Sequence, residues 1–236
     1  MKRNKIMKKK FLALILAAAM SCLLLTSCGG GGGSSGTVSG GNQEASNGKV
    51  SIRLLGASWE EEYGYVWVYY SAEIKNTNSK TSGGCQLTVT SRDADNKILD
   101  VSSIDYTGSI AAGDTVRFSG KVFYSGDAPE TVELSIGSPM GGYGDFEKVA
   151  KSSEFEITNQ NLIKDSKITG EVINHSDVTP TNVRVSVLFK KNGKYIGGDY
   201  TYVNDVQANG GKAAFEVYIP DCCEGFESYE VVAAEW

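Results

Sequence analysis

Two stretches of this chain read alike at a nearly constant offset, and two copies of one unit should fold with the same strand pattern. Ala72-Glu73-Ile74-Lys75-Asn76 matches Gly170-Glu171-Val172-Ile173-Asn174, and Leu87-Thr88-Val89 matches Val185-Ser186-Val187. A polar turn follows in each, Asp93-Ala94-Asp95-Asn96-Lys97 in one and Lys191-Asn192-Gly193-Lys194 in the other. Then come Ile98-Leu99 and Tyr195-Ile196. Ile110-Ala111-Ala112-Gly113 answers Val206-Gln207-Ala208-Asn209, and Phe118 answers Phe215, so the offset stays between 96 and 98. We read two copies of one β-unit in tandem.

Apolar residues in both copies alternate with period two, the signature of strands with one buried face. Val66, Val68, Tyr70, Ala72 and Ile74 share a face in the first copy. Leu87 and Val89 line a second strand, Val116, Phe118 and Val122 a third, and Val132, Leu134 and Ile136 a fourth. The second copy repeats the pattern with Ile168 and Val172, with Val183, Val185 and Val187, with Phe215, Val217 and Ile219, and with Val231 and Ala233. Asn192-Gly193 is a hairpin turn, since both residues tolerate positive φ. No long 3.6-residue periodicity is present. The expected fold is all-β, two tandem Ig-like β-sandwiches. Residues 49–137 form the first domain, 138–150 a glycine-rich linker around Gly141-Gly142, and 151–236 the second.

The N-terminus reads as an export signal. Six basic residues lie between Lys2 and Lys10, and a mostly apolar run follows from Phe11 to Leu25. That run is shorter than the roughly 20 residues a membrane-spanning helix needs. The run ends in Leu25-Thr26-Ser27-Cys28, which resembles the lipobox of bacterial lipoproteins. The resemblance implies that residues 1–27 are removed, that Cys28 is lipidated, and that the chain is held on the outer face of the cell membrane by its acyl (palmitate-type) chains. From Gly29 to Gly48 the composition is Gly, Ser, Thr, Asn and Gln with almost nothing apolar, so 28–48 is expected to be a flexible tether.

The second copy, roughly 155–236, is similar to the FxLYD-type domain of bacterial lipoproteins. The likeness rests on Ile168-Thr169-Gly170-Glu171-Val172-Ile173-Asn174, Val185-Ser186-Val187-Leu188-Phe189, Asn192-Gly193-Lys194 and Phe215. Ser186, Phe189 and Lys190 depart from the motif that names the family. The first copy resembles the related telokin-like domains through Lys75-Asn76-Thr77-Asn78, Gly113-Asp114 and Val122-Phe123. These likenesses imply Ig-like sandwiches, no catalytic residues and no cofactor.

Loss of residues 1–27 removes six of 23 basic side chains and no acidic one, leaving 17 against 28 and a net charge of −11. That surface disfavours nucleic acid. Cys85, Cys222 and Cys223 remain, an odd number without metal-ligand spacing. Export permits a disulfide from Cys85 to Cys222 or Cys223. The other reading makes Cys85 a small buried apolar residue, because it aligns with Val183.

His175 is the only histidine, which excludes a histidine-rich metal site and leaves little room for a Ser-His-Asp triad. Asp93-Ala94-Asp95-Asn96 departs from a calcium loop at Lys97 and Ile98 and reads as a turn. The feature with functional promise is aromatic: Trp59, Tyr63, Tyr65, Trp67 and Tyr69 beside Glu60-Glu61-Glu62. If Val66 and Val68 face the core, Tyr65, Trp67 and Tyr69 face outward, available to a cell-wall glycan or an envelope protein. The alternatives are that the row packs against another part of the chain, making the protein a spacer, or that the protein is an envelope enzyme. A Cys28→Ala variant should lose metabolic palmitate labelling and leave the membrane fraction; retained labelling would refute the lipobox reading.

Overall fold

The computed structural model describes residues 35–38, 44–46, 49–144, 148–164 and 166–236. The signal segment and Cys28 lie outside these residues. Sixteen strands are present among the described residues: β1 Ser35–Val38, β2 Glu44–Ser46, β3 Val50–Glu62, β4 Tyr65–Asn76, β5 Thr81–Ser82, β6 Cys85–Arg92, β7 Ile98–Tyr106 and β8 Thr115–Tyr124. They continue as β9 Thr131–Pro139, β10 Tyr143–Gly144, β11 Phe155–Ile163, β12 Lys167–Asn174, β13 Asn182–Lys191, β14 Lys194–Asn204, β15 Gly211–Tyr218 and β16 Ser228–Glu235. The chain is all-β, as expected.

Four sheets carry the fold. Sheet 1 runs β1-β3-β4-β8, with β2 also on β3; sheet 2 runs β7-β6-β9; sheet 3 runs β11-β12-β15; sheet 4 runs β14-β13-β16. Sheets 1 and 2 enclose one apolar core, built around Ile52, Val68, Ile74, Leu87, Phe118 and Leu134. Sheets 3 and 4 enclose a second, built around Ile168, Val172, Val185, Val187, Phe189 and Phe215. The strand order β3-β4-β8 with β7-β6-β9 recurs as β11-β12-β15 with β14-β13-β16, the order that the aligned sequence segments require.

One buried device also recurs at the repeat offset. The Asn76 Nδ2 group donates to the carbonyls of Ile110 at 2.9 Å and Lys80 at 3.0 Å, and its Oδ1 accepts from Asn78 N–H. Asn174 does the same with Val206 at 3.0 Å, Val178 at 2.7 Å and Ser176 N–H. Each buried amide pins the end of a central strand to two loops and is itself satisfied on both its nitrogen and its oxygen.

Two expectations about connections change. Ser35–Val38 and Glu44–Ser46, inside the stretch read as a tether, pair with β3 at Ala57–Glu60 and Ser51–Arg53. With Val38 and Ala45 their only apolar residues, these short segments carry no alternation to reveal this, but β3 would otherwise be a long open edge. Within the expected linker, Tyr143–Gly144 pairs with Thr81–Ser82. All three described cysteines are free thiols; Cys85 is buried in the first core and Cys223 in the second.

Truncating either asparagine removes the hydrogen bonds that tie its strand end to both loops. Asn76→Ala and Asn174→Ala should each lower stability by about 2 kcal/mol, read as a drop in urea midpoint with little change in slope.

Candidate functional site

The aromatic row stands on β4, at the centre of sheet 1. The register places Trp67 opposite Glu60 on β3 and Phe123 on β8, and Tyr69 opposite Ser58 and Lys121. Further along, Ser71 sits opposite Gly56 and Ser119, and Glu73 opposite Arg53 and Arg117. Because cross-strand partners share a face, all these side chains lie on the face of sheet 1 turned away from its core.

Sheet 4 covers the middle of this face. Its edge strand β14 lies across β3, β4 and β8, and three hydroxyls meet its carbonyls. Ser58 Oγ donates to Ile196, Ser71 Oγ to Gly197 at 2.7 Å, and Ser119 Oγ to Asp199 at 2.6 Å. All three serines are fully buried. Contact is so close that a Cβ on Gly56 would stand 2.0 Å from the Tyr195 carbonyl oxygen. Arg184, 1% exposed, fills the seam beside them. Its guanidinium lies 3.6 Å from the Tyr200 ring centre and 4.3 Å from that of Trp236, and it donates to the Ser119 carbonyl. Lys121 pairs with Asp199 at 3.0 Å. Burial pushes the Asp199 carboxyl above its ordinary pKa, against the pull of Lys121.

The row is therefore divided. Tyr69, 7% exposed, is sealed in the seam, where burial and the nearby Glu60 push its hydroxyl far above the usual range. Trp67 is half-buried and stacks on Tyr69 with 6.5 Å between centroids and on Phe123 with 4.7 Å. Tyr65, 43% exposed, meets the 54% exposed Phe123 edge-on. Tyr63, 91% exposed, tips the hairpin; Tyr63 and Gly64 take φ of 52° and 80°, the conformation of a tight hairpin turn. Trp59 does not join the row. It sits opposite Val68, on the core side, packed against Gly36. Phe123 was missed because its place beside Trp67 depends on the β4–β8 register, which alternation alone does not supply.

Glu60 closes the covered end. Its carboxylate accepts the Cys222 amide at 2.8 Å, and burial raises its pKa despite that bond. Burial, the neighbouring Cys223 and Glu60 push the Cys222 thiol far above its normal value, so it stays protonated and non-nucleophilic. His175 is an exposed residue 2.7 Å from Glu156. Among the described residues no group of three or more His, Cys, Asp or Glu side chains could hold a metal ion. No described helix is long and apolar enough to cross a membrane.

No family model and no curated protein matches this chain. Among solved structures, a conserved hypothetical protein from Bacillus anthracis is similar at 13% identity and a TM-score of 0.26, over 39% of this chain and 80% of that one. The CBM22-1-CBM22-2 tandem domain of Paenibacillus barcinonensis Xyn10C aligns at 10% identity and a TM-score of 0.19, over 84% of this chain and 92% of that one. Likenesses this distant carry no argument about function.

A carboxyl whose pKa is raised by folding binds its proton more readily in the folded chain. Its cost to stability is absent in acid and appears as the pH rises through the folded-state value. Glu60→Gln should therefore gain stability relative to wild type as pH rises from about 4 to about 7. Urea unfolding across that range tests this, and a difference that does not change with pH would refute it.

Proposed function

We propose that this is a lipid-anchored, extracytoplasmic binding protein, without catalytic activity, whose aromatic end grips an envelope protein near the membrane surface. One observation carries the reading. The first described strand, β1, begins at Ser35, opposite Glu60 and two residues from the hairpin end that bears Tyr63 and Tyr65. Six residues lie between Cys28 and Ser35, so seven Cα–Cα steps span at most about 25 Å. The exposed rings of Tyr63, Tyr65 and Phe123 thus share the end of sheet 1 at which β1 begins.

The stacking favours a protein over a cell-wall glycan as partner. Sugars pack on open ring faces, and the faces of Trp67 are turned to Phe123 and Tyr69. Edges and rims remain, which suit apolar side chains. The acidic Glu61 and Glu62, both exposed beside them, disfavour anionic headgroups. A pure spacer accounts for Tyr69 but not for three exposed rings at one end.

A photo-crosslinking residue in place of Tyr63, in the full-length protein in cells, should capture one discrete envelope protein. The Tyr65→Ser/Phe123→Ser pair should cut that yield by about tenfold while leaving the urea midpoint near wild type. The same probe at exposed Tyr218 should capture nothing specific. Adducts to glycan alone, or capture indifferent to the double variant, would overturn the reading.

A further inference from the structure

A cleft of about 530 Å³ opens at the other end of the seam, lined by Glu73 and Arg117 of sheet 1, by Phe155 and Ile157 of β11, and by Val231 and Ala233 of β16. Both β11 and β16 are edge strands. The hydrogen-bond phase shows which way their backbones point. Trp236 N–H donates to Asn182, directly opposite it in the β13–β16 register, and Asp205 N–H donates to Thr181, opposite it across β13–β14. Even positions of β13 thus bond β16 and odd positions bond β14. Along β16, Glu230, Val232 and Ala234 turn their amides and carbonyls to β13, while Tyr229, Val231 and Ala233 turn theirs off the edge, toward the cleft.

We infer that this cleft takes a single extended polypeptide segment from another protein, which adds to β16 as a further strand. The edge of β16 keeps an unbroken register over Ser228–Glu235, whereas β11 carries a bulge between Thr158 and Asn161, with Asn159 at φ 53°. A regular edge can template a new strand; a bulged one cannot continue the ladder. Sheet 1 and β11 wall the cleft, so a lone strand enters but the edge of a second copy's sheet does not.

The charged side chains at the cleft satisfy one another: Glu73 is held by Arg53 at 2.8 Å and Arg117 at 3.0 Å, and Glu230 by Arg117 at 2.9 Å and Lys190 at 3.2 Å. The apolar lining of Phe155, Ile157, Val231 and Ala233 therefore selects the partner and favours a segment with alternating apolar β-branched residues.

The test uses the protein without its signal segment, with Cys28→Ser, and a fluorescein-labelled peptide of sequence Thr-Val-Glu-Val-Thr-Val. The peptide should bind, and the amide signals of Val231 and Ala233 should shift on titration. N-methylation of the alternate residues whose amides face β16 should weaken binding by about tenfold, while methylation of the other set should have little effect. Absence of binding, equal sensitivity to both methylation patterns, or amide shifts confined to residues away from β16 would overturn the inference. Binding of a soluble cell-wall oligosaccharide to the same amides in place of the peptide would also overturn it.

Discussion

Polar side chains buried between two sheets must find partners, and the architecture of this protein follows from how β14 supplies them. Across sheet 1 the donors are hydroxyls: Ser58, Ser71 and Ser119, one from each of three adjacent strands, reach Ile196, Gly197 and Asp199. Only short side chains allow two backbones to approach this closely, which is why Gly56 stands beside them. The seam is thus fastened by directed bonds rather than by apolar area. Directed bonds fix orientation as well as contact, since a slide of one residue would break all three together.

Arg184 completes this arrangement. A buried guanidinium is costly unless its charge is met, and here aromatic rings at 3.6 and 4.3 Å and the Ser119 carbonyl meet it. Its presence explains why β13 is buried on both faces: Val183, Val185 and Val187 face the second core while Arg184, Ser186 and Leu188 face the seam. The strand is thus apolar toward the second core and mixed toward the seam, where Arg184 makes the polar contact.

The period-two pattern made the strands and both cores legible, because burial against a partner sheet writes itself into alternate residues. The repeat at offset 96–98 went further, since Asn76 and Asn174 occupy matching positions and hold matching loops. What covers the second face of a sheet was not legible. Alternation correctly turned Tyr65, Trp67 and Tyr69 away from the core, but it does not distinguish water from β14. The signal for the seam was the line of small residues, Gly56, Ser58, Ser71 and Ser119, which reads as ordinary polar surface until the strands are set side by side. The strands at 35–38 and 44–46 were hidden in the same way, behind a composition typical of flexible chain.

The pairing of β1 with β3 has a mechanical side. β1 begins at Ser35, at the hairpin end of sheet 1, while the cleft beside Glu73 lies toward the opposite end of β4. Tension applied between those ends runs lengthwise through the ladder from Ser35–Glu60 to Val38–Ala57. Such a load shears the rungs together instead of peeling them singly, and it makes this short strand a coupling able to transmit force.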